Sequence, residues 1–322
     1  MSRFIIRRLL GMIPLILGIS FIVYALLNLV PGSPTDNVPR SPQMRPEDFA
    51  RIQENLGLNE PWYTRYFIWL GNVFQGDFGN SFTNYQPVKD MIGNALPNTL
   101  ILSLAALILA LVVSIPLGVY CAVNRNSLID RVVTVLTTAF SSIPTVWLGL
   151  MMIILFSVKF QQWGLPSLPT SGVRNLRIDD NLLDRIQHLI LPATALALVS
   201  LADWTRYIRS QMLEVIRQDY VRTAQAKGLK NRVVLMGHAF RNALLPLVTL
   251  VGFTIPALFG GALIIENVFA YPGIGQLTVQ SLNSSDYSVA MGCVMMLAIL
   301  TILGNLLADV LYGVLDPRVR YD

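Results

Sequence analysis

An all-α integral membrane protein with six transmembrane helices is the fold this sequence predicts, and three observations carry that reading. Of its 322 residues, 53% are hydrophobic and 13% charged, whereas a soluble domain has about 25% charged residues. The apolar residues gather into uncharged runs of about 20, the helical length that crosses a bilayer. Lysine and arginine concentrate beside those runs on one side, as the positive-inside bias describes. The net charge of +5 does not point to nucleic acid, because basic and aromatic residues are not interleaved on a soluble face. Cys121 and Cys293 fall at the ends of different runs, near opposite faces of the bilayer, so they form neither a disulfide nor a zinc site.

Residues 1–30 comprise a basic arm (Arg3, Arg7, Arg8) and a first span, 9–30, without charge. A secretory signal has the same order, but its apolar core is about 7–15 residues and ends at a small-residue cleavage site. This run ends Asn28-Leu29-Val30-Pro31-Gly32, so an uncleaved span is expected. Residues 31–98 form a large extracytoplasmic loop region rich in Pro, Asn, Asp and Arg. Within it, 46–56 reads as a short polar helix opened by a proline. Trp62, Tyr63, Tyr66, Phe67, Trp69, Val73 and Phe74 make an aromatic face. That face suits either a segment lying along the membrane surface or a small packed cap.

Residues 99–322 hold the transmembrane core, with spans at about 99–122, 133–158, 189–207, 244–265 and 290–315. The polar connections 159–187 and 266–289 separate them, the second containing the turn Tyr271-Pro272-Gly273. Six spans put both termini on one side. That side carries 3 Lys/Arg in the amino-terminal arm, 2 between the second and third spans, 7 in 209–241 and 2 at the carboxyl end, 14 in all, against 9 on the other side. Both termini and 209–241 are therefore expected in the cytoplasm.

Polar and helix-breaking residues are uneven within the spans. Pro116, Pro144, Pro192, Pro246 and Pro256 imply bends or local unwinding. Ser141, Ser142, Pro144 and Thr145 cluster in the third span, and Thr254, Pro256, Gly260 and Gly261 in the fifth. Such clusters suit a gated, partly wet translocation path; they also suit close helix packing. Of the ionisable residues, Asp203 and Asp309 lie towards the cytoplasmic ends of their helices, where pairing with an arginine such as Arg206 is the expectation. Glu266 is expected at the outer membrane interface.

No enzyme signature is present: the sequence lacks GxxxxGK[ST], HExxH, CxxC and GxSxG. His188 and His238 fall on opposite sides of the bilayer. The chain is thus expected to be non-catalytic, with no metal or cofactor of its own.

The one long basic stretch is DYVRTAQAKGLKNRVVLMGHAFRNALLP, residues 219–246. Met212, Ile216, Tyr220 and Ala224 recur before Gly228 at helical spacing, as do Val233, Met236, Ala239 and Phe240 after it. The pattern predicts two short amphipathic helices hinged at Gly228. An ordinary basic loop fits the charge alone; the apolar faces fit a segment that docks into another protein.

The run Asp219-Tyr220-Val221-Arg222-Thr223-Ala224-Gln225-Ala226-Lys227-Gly228-Leu229, followed by His238-Ala239 and Arg241-Asn242-Ala243-Leu244-Leu245-Pro246, resembles the coupling loop of permease subunits in binding-protein-dependent ABC importers of the dipeptide and oligopeptide class. Further resemblance lies in Phe4-Ile5-Ile6-Arg7-Arg8-Leu9, Leu29-Val30-Pro31-Gly32, Glu266-Asn267-Val268-Phe269-Ala270-Tyr271-Pro272-Gly273-Ile274-Gly275 and Leu315-Asp316-Pro317-Arg318-Val319-Arg320-Tyr321. It covers essentially the whole chain. Two departures from the wider superfamily, Arg222-Thr223-Ala224 in place of Glu-Ala-Ala and a later leucine-proline pair, resemble the peptide branch.

The resemblance implies a pore-forming subunit in a bacterial or archaeal plasma membrane, with a second homologous permease, two ATP-binding subunits carrying ATP and magnesium, and an extracytoplasmic solute-binding protein. It assigns coupling to Glu214, Asp219, Tyr220, Arg222, Thr223, Ala224, Ala226, Lys227, Gly228 and Leu229. Peptide is the implied cargo; nickel, glutathione or an oligosaccharide is the alternative within this class. A stand-alone secondary transporter or channel is the alternative outside it, and would predict midplane charges or an inverted repeat.

Overall fold

The computed structural model describes residues 2–29, 60–175, 177, 181–230 and 233–315. The short helix expected at 46–56, Arg232 and the closing residues 316–322 lie outside them. In chain order the helices are α1 (Ser2–Leu29), α2 (Trp62–Phe74), α3 (Val88–Val123), α4 (Leu128–Ser142), α5 (Thr145–Ile153) and α6 (Phe160–Gln162), then α7 (Leu182–Val215), α8 (Asp219–Ala226), α9 (Arg241–Val268), α10 (Ile274–Asn283) and α11 (Tyr287–Leu315). Wider π-helical turns at Ile154–Lys159 and Val234–Phe240 join α5 to α6 and lead into α9. Among the described residues there is no strand, only one bridge between Asn80 and Pro87.

Among the described residues six stretches are long and apolar enough to cross a bilayer: Ile6–Leu29, Val88–Val123, Thr145–Gln162, Leu182–Val215, Leu250–Val268 and Tyr287–Val310. The fold is therefore the all-α membrane architecture that the composition predicts. Large apolar side chains such as Leu10, Ile22, Leu104 and Val112 are exposed, which is the surface that acyl chains cover.

Two compact units divide the chain. One comprises Ser2–Thr99 and Pro272–Ile302. Here α2 packs on α1 through Tyr66, which is 3% exposed. Its hydroxyl meets Ser20 Oγ at 2.9 Å, and its ring stands edge-on to Phe21 and Tyr24. The aromatic face thus divides. Tyr66 turns inward and Trp69 joins Tyr24 and Leu27, while Tyr63, Phe67 and Phe74 stay exposed. Val88, Ile92 and Ala95 of α3, Ile274 of α10 and Val289 and Cys293 of α11 form a second apolar core. Asn98 Nδ2 donates to Pro272 O at 2.7 Å, and Ile274 N donates to Thr99 Oγ1 at 2.8 Å. Asp286, 2% exposed, accepts from the hydroxyls of Ser81 and Thr83.

The other unit comprises Leu100–Tyr271 and Leu303–Asp322, and α7 is its axis. Asn181 caps α7 by accepting from Leu183 N at 3.0 Å, relieving one of the open donors of a helix start. The helix then buries Leu191, Ala193, Ala195, Leu196, Ala197, Ala202, Trp204, Ile208 and Met212. Four alanines lie on that face, which lets helices close up where lipid tails supply no hydrophobic drive. Gly118 of α3 also meets α7 closely. A Cβ there would stand 2.8 Å from Ile208 Cβ and 2.9 Å from Thr205 O.

The third predicted span, 133–158, is broken. Ser127 caps α4 by accepting from Asp130 N at 3.2 Å, and α4 ends at Ile143, whose backbone is extended (φ −85°, ψ 129°). Proline at 144 imposes this on its predecessor. Elsewhere the helices run through Pro116, Pro192, Pro246 and Pro256 without interruption. The connection 266–289 also departs from expectation, because it contains α10.

Candidate functional site

The basic stretch begins where α7 ends. Val215 closes α7, a tight turn at Arg217 and Gln218 reverses the chain, and Asp219 starts α8. The eight residues of α8 bury only Val221 and Ala224, which meet Val234 in a small apolar cluster. Lys227 caps α8, and Gly228 follows with φ +78°. This left-handed geometry favours glycine, because a Cβ would crowd the next carbonyl. Nothing lies within 4 Å of the position such a Cβ would take. Backbone conformation, not space, therefore selects glycine here.

Met212, Ala224 and Ala239 are buried as the spacing predicts, and one position on each side of Gly228 differs. Val221 is buried where Tyr220 was expected, and Val234 where Val233 was expected. The break at 217–218 resets the helical phase between Ile216 and α8, so one period does not run through both. Among the described residues after Gly228, the π-helical Val234–Phe240 continues into α9. Of the ten residues assigned to coupling, Ala224 is buried, while Glu214, Asp219, Tyr220, Arg222, Thr223, Ala226, Lys227, Gly228 and Leu229 are exposed. Arg222 stands 3.8 Å from Asp219 with both side chains open to solvent, an arrangement of little energetic weight.

A second polar site lies along α4 and α7. Thr134, Thr138, Ser141 and Ser142 recur on one face of α4. Each hydroxyl reaches the carbonyl four residues back, at 2.7, 2.8, 3.0 and 3.0 Å. Such back-bonding satisfies the donors and leaves oxygen lone pairs outward. Ser141 Oγ is also 3.0 Å from Asp203 Oδ1, so its one proton serves two acceptors in turn. Arg206 Nη2 donates to Asp203 Oδ1 at 2.6 Å and to Ser141 Oγ at 2.9 Å. The sequence-predicted pairing of Asp203 with Arg206 is thus observed, with side chains 53% and 39% exposed. Ser142 and Pro144 are exposed, and Thr145 is half-buried. Thr254 back-bonds to Leu250 O at 2.8 Å, and the half-buried Pro256 packs at Gly304.

Two further features escaped sequence reasoning. Asp130, at the start of α4, accepts both Arg209 Nε at 2.6 Å and Arg209 Nη2 at 2.8 Å, and also Asn126 N at 2.9 Å. Asp130 is 3% exposed. The guanidinium holds its carboxyl below the usual carboxylate range, against the opposing effect of burial. Ser127 three residues before Asp130 was a visible capping signal; the arginine 79 positions away was not. Glu266, expected at the membrane interface, has no accessible surface. Close to it, burial pushes the Tyr271 hydroxyl up to about 12; the Glu266 charge adds to this rise and Arg185 opposes it.

With this geometry in view, comparison with known proteins is informative. The family described as binding-protein-dependent transport system inner membrane component matches residues 114–321, and the corresponding N-terminal family matches residues 1–105. The oligopeptide transport system permease protein AppB of Bacillus subtilis is 44% identical over 322 residues, covering 100% of both chains. The di/tripeptide transport system permease protein DppB of Pseudomonas aeruginosa is 38% identical, and the dipeptide permease DppB of Escherichia coli 37%, each covering 100% of this chain and 99% of theirs. A solved inward-facing structure of the MetNI methionine ABC transporter shares the fold, with TM-score 0.56 and 20% identity over 70% of this chain and 96% of that one. The chain belongs to the family of binding-protein-dependent transport system inner membrane components.

Proposed function

We propose that this chain is the membrane-spanning subunit of an ATP-driven importer that carries di- or oligopeptides by alternating access. The observation that carries this reading is end-to-end similarity, 44% over all 322 residues, to a permease named for oligopeptide transport, with dipeptide permeases close behind. In this reading the chain pairs with a second homologous permease. Two ATP-binding subunits, with ATP and magnesium, bind from the cytoplasm, and a solute-binding protein delivers the peptide from outside. The chain itself binds no cofactor. Both termini and α8 face the cytoplasm, in keeping with the 14 to 9 distribution of basic residues.

The mechanism follows from how α8 is attached. Its apolar pair, Val221 and Ala224, packs on Val234 of the segment that leads into α9, while the exposed Tyr220, Arg222, Thr223 and Leu229 meet a groove in an ATP-binding partner. Closure of the two ATP-binding subunits displaces α8. The short turn at 217–218 passes that displacement to α7, and the segment after Gly228 passes it to α9. Since α7 carries Asp203 and Arg206 opposite Ser141, its rotation re-sides the polar face bearing Ser141, Ser142, Pro144 and Thr145. Thr254 and Pro256 on α9 complete the proposed path.

Membrane vesicles from cells expressing the whole importer test the coupling role. The variant G228V should reach the membrane and abolish peptide uptake, with the ATP-binding subunits losing contact with α8 in cross-linking from position 220. Uptake equal to wild type would remove the coupling assignment.

A further inference from the structure

Asp203 and Arg206 lie within Leu182–Val215, a stretch long and apolar enough to cross a bilayer. Arg209 of the same helix is bonded to Asp130 at the start of α4. Asp203 is six residues further along α7, about 9 Å away along the helix at 1.5 Å per residue. Ser141 of α4 meets it there. No charged residue lies between Arg131 and Lys159, and between Arg185 and Arg209 the charged residues of α7 are Asp203 and Arg206. Yet their side chains are 53% and 39% exposed.

Acyl chains disfavour such a face, and charged residues in membrane helices turn towards protein or a wet cavity. The surroundings favour the wet cavity. The hydroxyls of Thr134, Thr138, Ser141 and Ser142 lead along α4 to the pair, all with donors satisfied internally. The pair also keeps bonding capacity in reserve. Arg206 and Ser141 both use Asp203 Oδ1, and among the described residues Asp203 Oδ2 and Arg206 Nε and Nη1 take no partner. One acidic and one basic group, each half open, complement a zwitterion.

We propose that Asp203, Arg206 and Ser141 form a binding station on the translocation path, where Asp203 Oδ2 receives the free α-ammonium of a peptide and Arg206 receives its carboxylate or carbonyl oxygens. The inference rests on the peptide reading given above. The station is net neutral, so the peptide exchanges water for paired charges as it passes and leaves no uncompensated charge behind. A single turn of α7 separates the two groups, so rotation of α7 moves both together and presents the peptide to the other side of the membrane.

The complete importer, reconstituted in proteoliposomes with internal ATP and saturating solute-binding protein, tests this with trialanine as the probe. Wild type should import trialanine, and D203N should lower its uptake at least tenfold. The exchange D203R/R206D keeps an ion pair one turn apart but inverts its direction, and should stay at least tenfold below wild type. Wild-type uptake by D203N overturns the station, and so does full recovery in D203R/R206D, which would make the pair a structural clasp. Loss of the second permease from purified D203N complexes would place the pair in a subunit interface and also overturn it. Absence of trialanine uptake by wild type would instead defeat the peptide reading, and the station with it.

Discussion

Two Asp–Arg pairs that share α7 do opposite things. Asp130–Arg209 is bidentate, with the carboxylate 3% exposed and the guanidinium 26%. Asp203–Arg206 is a single-oxygen contact, with its side chains 53% and 39% exposed. The first engages both carboxylate oxygens and fastens the start of α4 to α7. The second is open, and among the described residues Asp203 Oδ2 and Arg206 Nε and Nη1 take no partner. Ion pairing therefore does not define a role; burial and unused valences do. A buried pair is costly to break because the remaining charge is uncompensated, whereas an open pair contributes about 0–1 kcal/mol.

The comparison is broken most forcefully at Arg209. R209A strands a nearly inaccessible carboxylate and should lower stability by about 3 kcal/mol, read from thermal unfolding of the purified complex in detergent. The pH dependence has a defined sign. The folded Asp130 carboxyl is held below its unfolded value, so its stabilisation is present above about pH 4 and is lost as pH falls through the lower folded value. The stability difference between wild type and D130N should accordingly be constant from neutral pH to about pH 5 and shrink below about pH 4.

G118A should come next, at about 1–3 kcal/mol. Its new methyl would meet Ile208 and the Thr205 carbonyl, and the same thermal assay reads the loss. At Gly228, where φ is +78° and the space is open, valine should cost about 1–2 kcal/mol and asparagine clearly less. Equal effects from valine and asparagine would show that volume and not backbone geometry matters there. D203N should change stability by about 0.5 kcal/mol or less while still depressing uptake. A stability loss comparable to that of R209A would erase the distinction between the two pairs.

Much of the fold was legible because spans announce themselves through uninterrupted hydropathy. Val88–Val123 and Tyr287–Leu315 contain the predicted second and sixth spans and extend them, since a helix does not stop where the bilayer does. The Pro144 break was visible as a proline, but Pro116, Pro192, Pro246 and Pro256 looked the same and are accommodated within helices. The basic stretch was legible as a unit. Its buried positions were displaced from Tyr220 to Val221 and from Val233 to Val234 because the turn at 217–218 resets the period. Contacts across sequence were the least legible. Asp130 meets Arg209 79 positions away and Ser141 meets Asp203 62 positions away, and only packing brings them together. For Glu266 the position at a span end was evident, but the protein that encloses it was not.

The most direct test of the account is ATP dependence. Labelled trialanine uptake should be measured in proteoliposomes holding this chain, a second permease and both ATP-binding subunits, with solute-binding protein outside and either ATP or a non-hydrolysable analogue within. The account predicts accumulation with ATP only, abolished by G228V and at least tenfold lower in D203N. Equal uptake with the analogue would identify a self-sufficient secondary transporter or channel and contradict it.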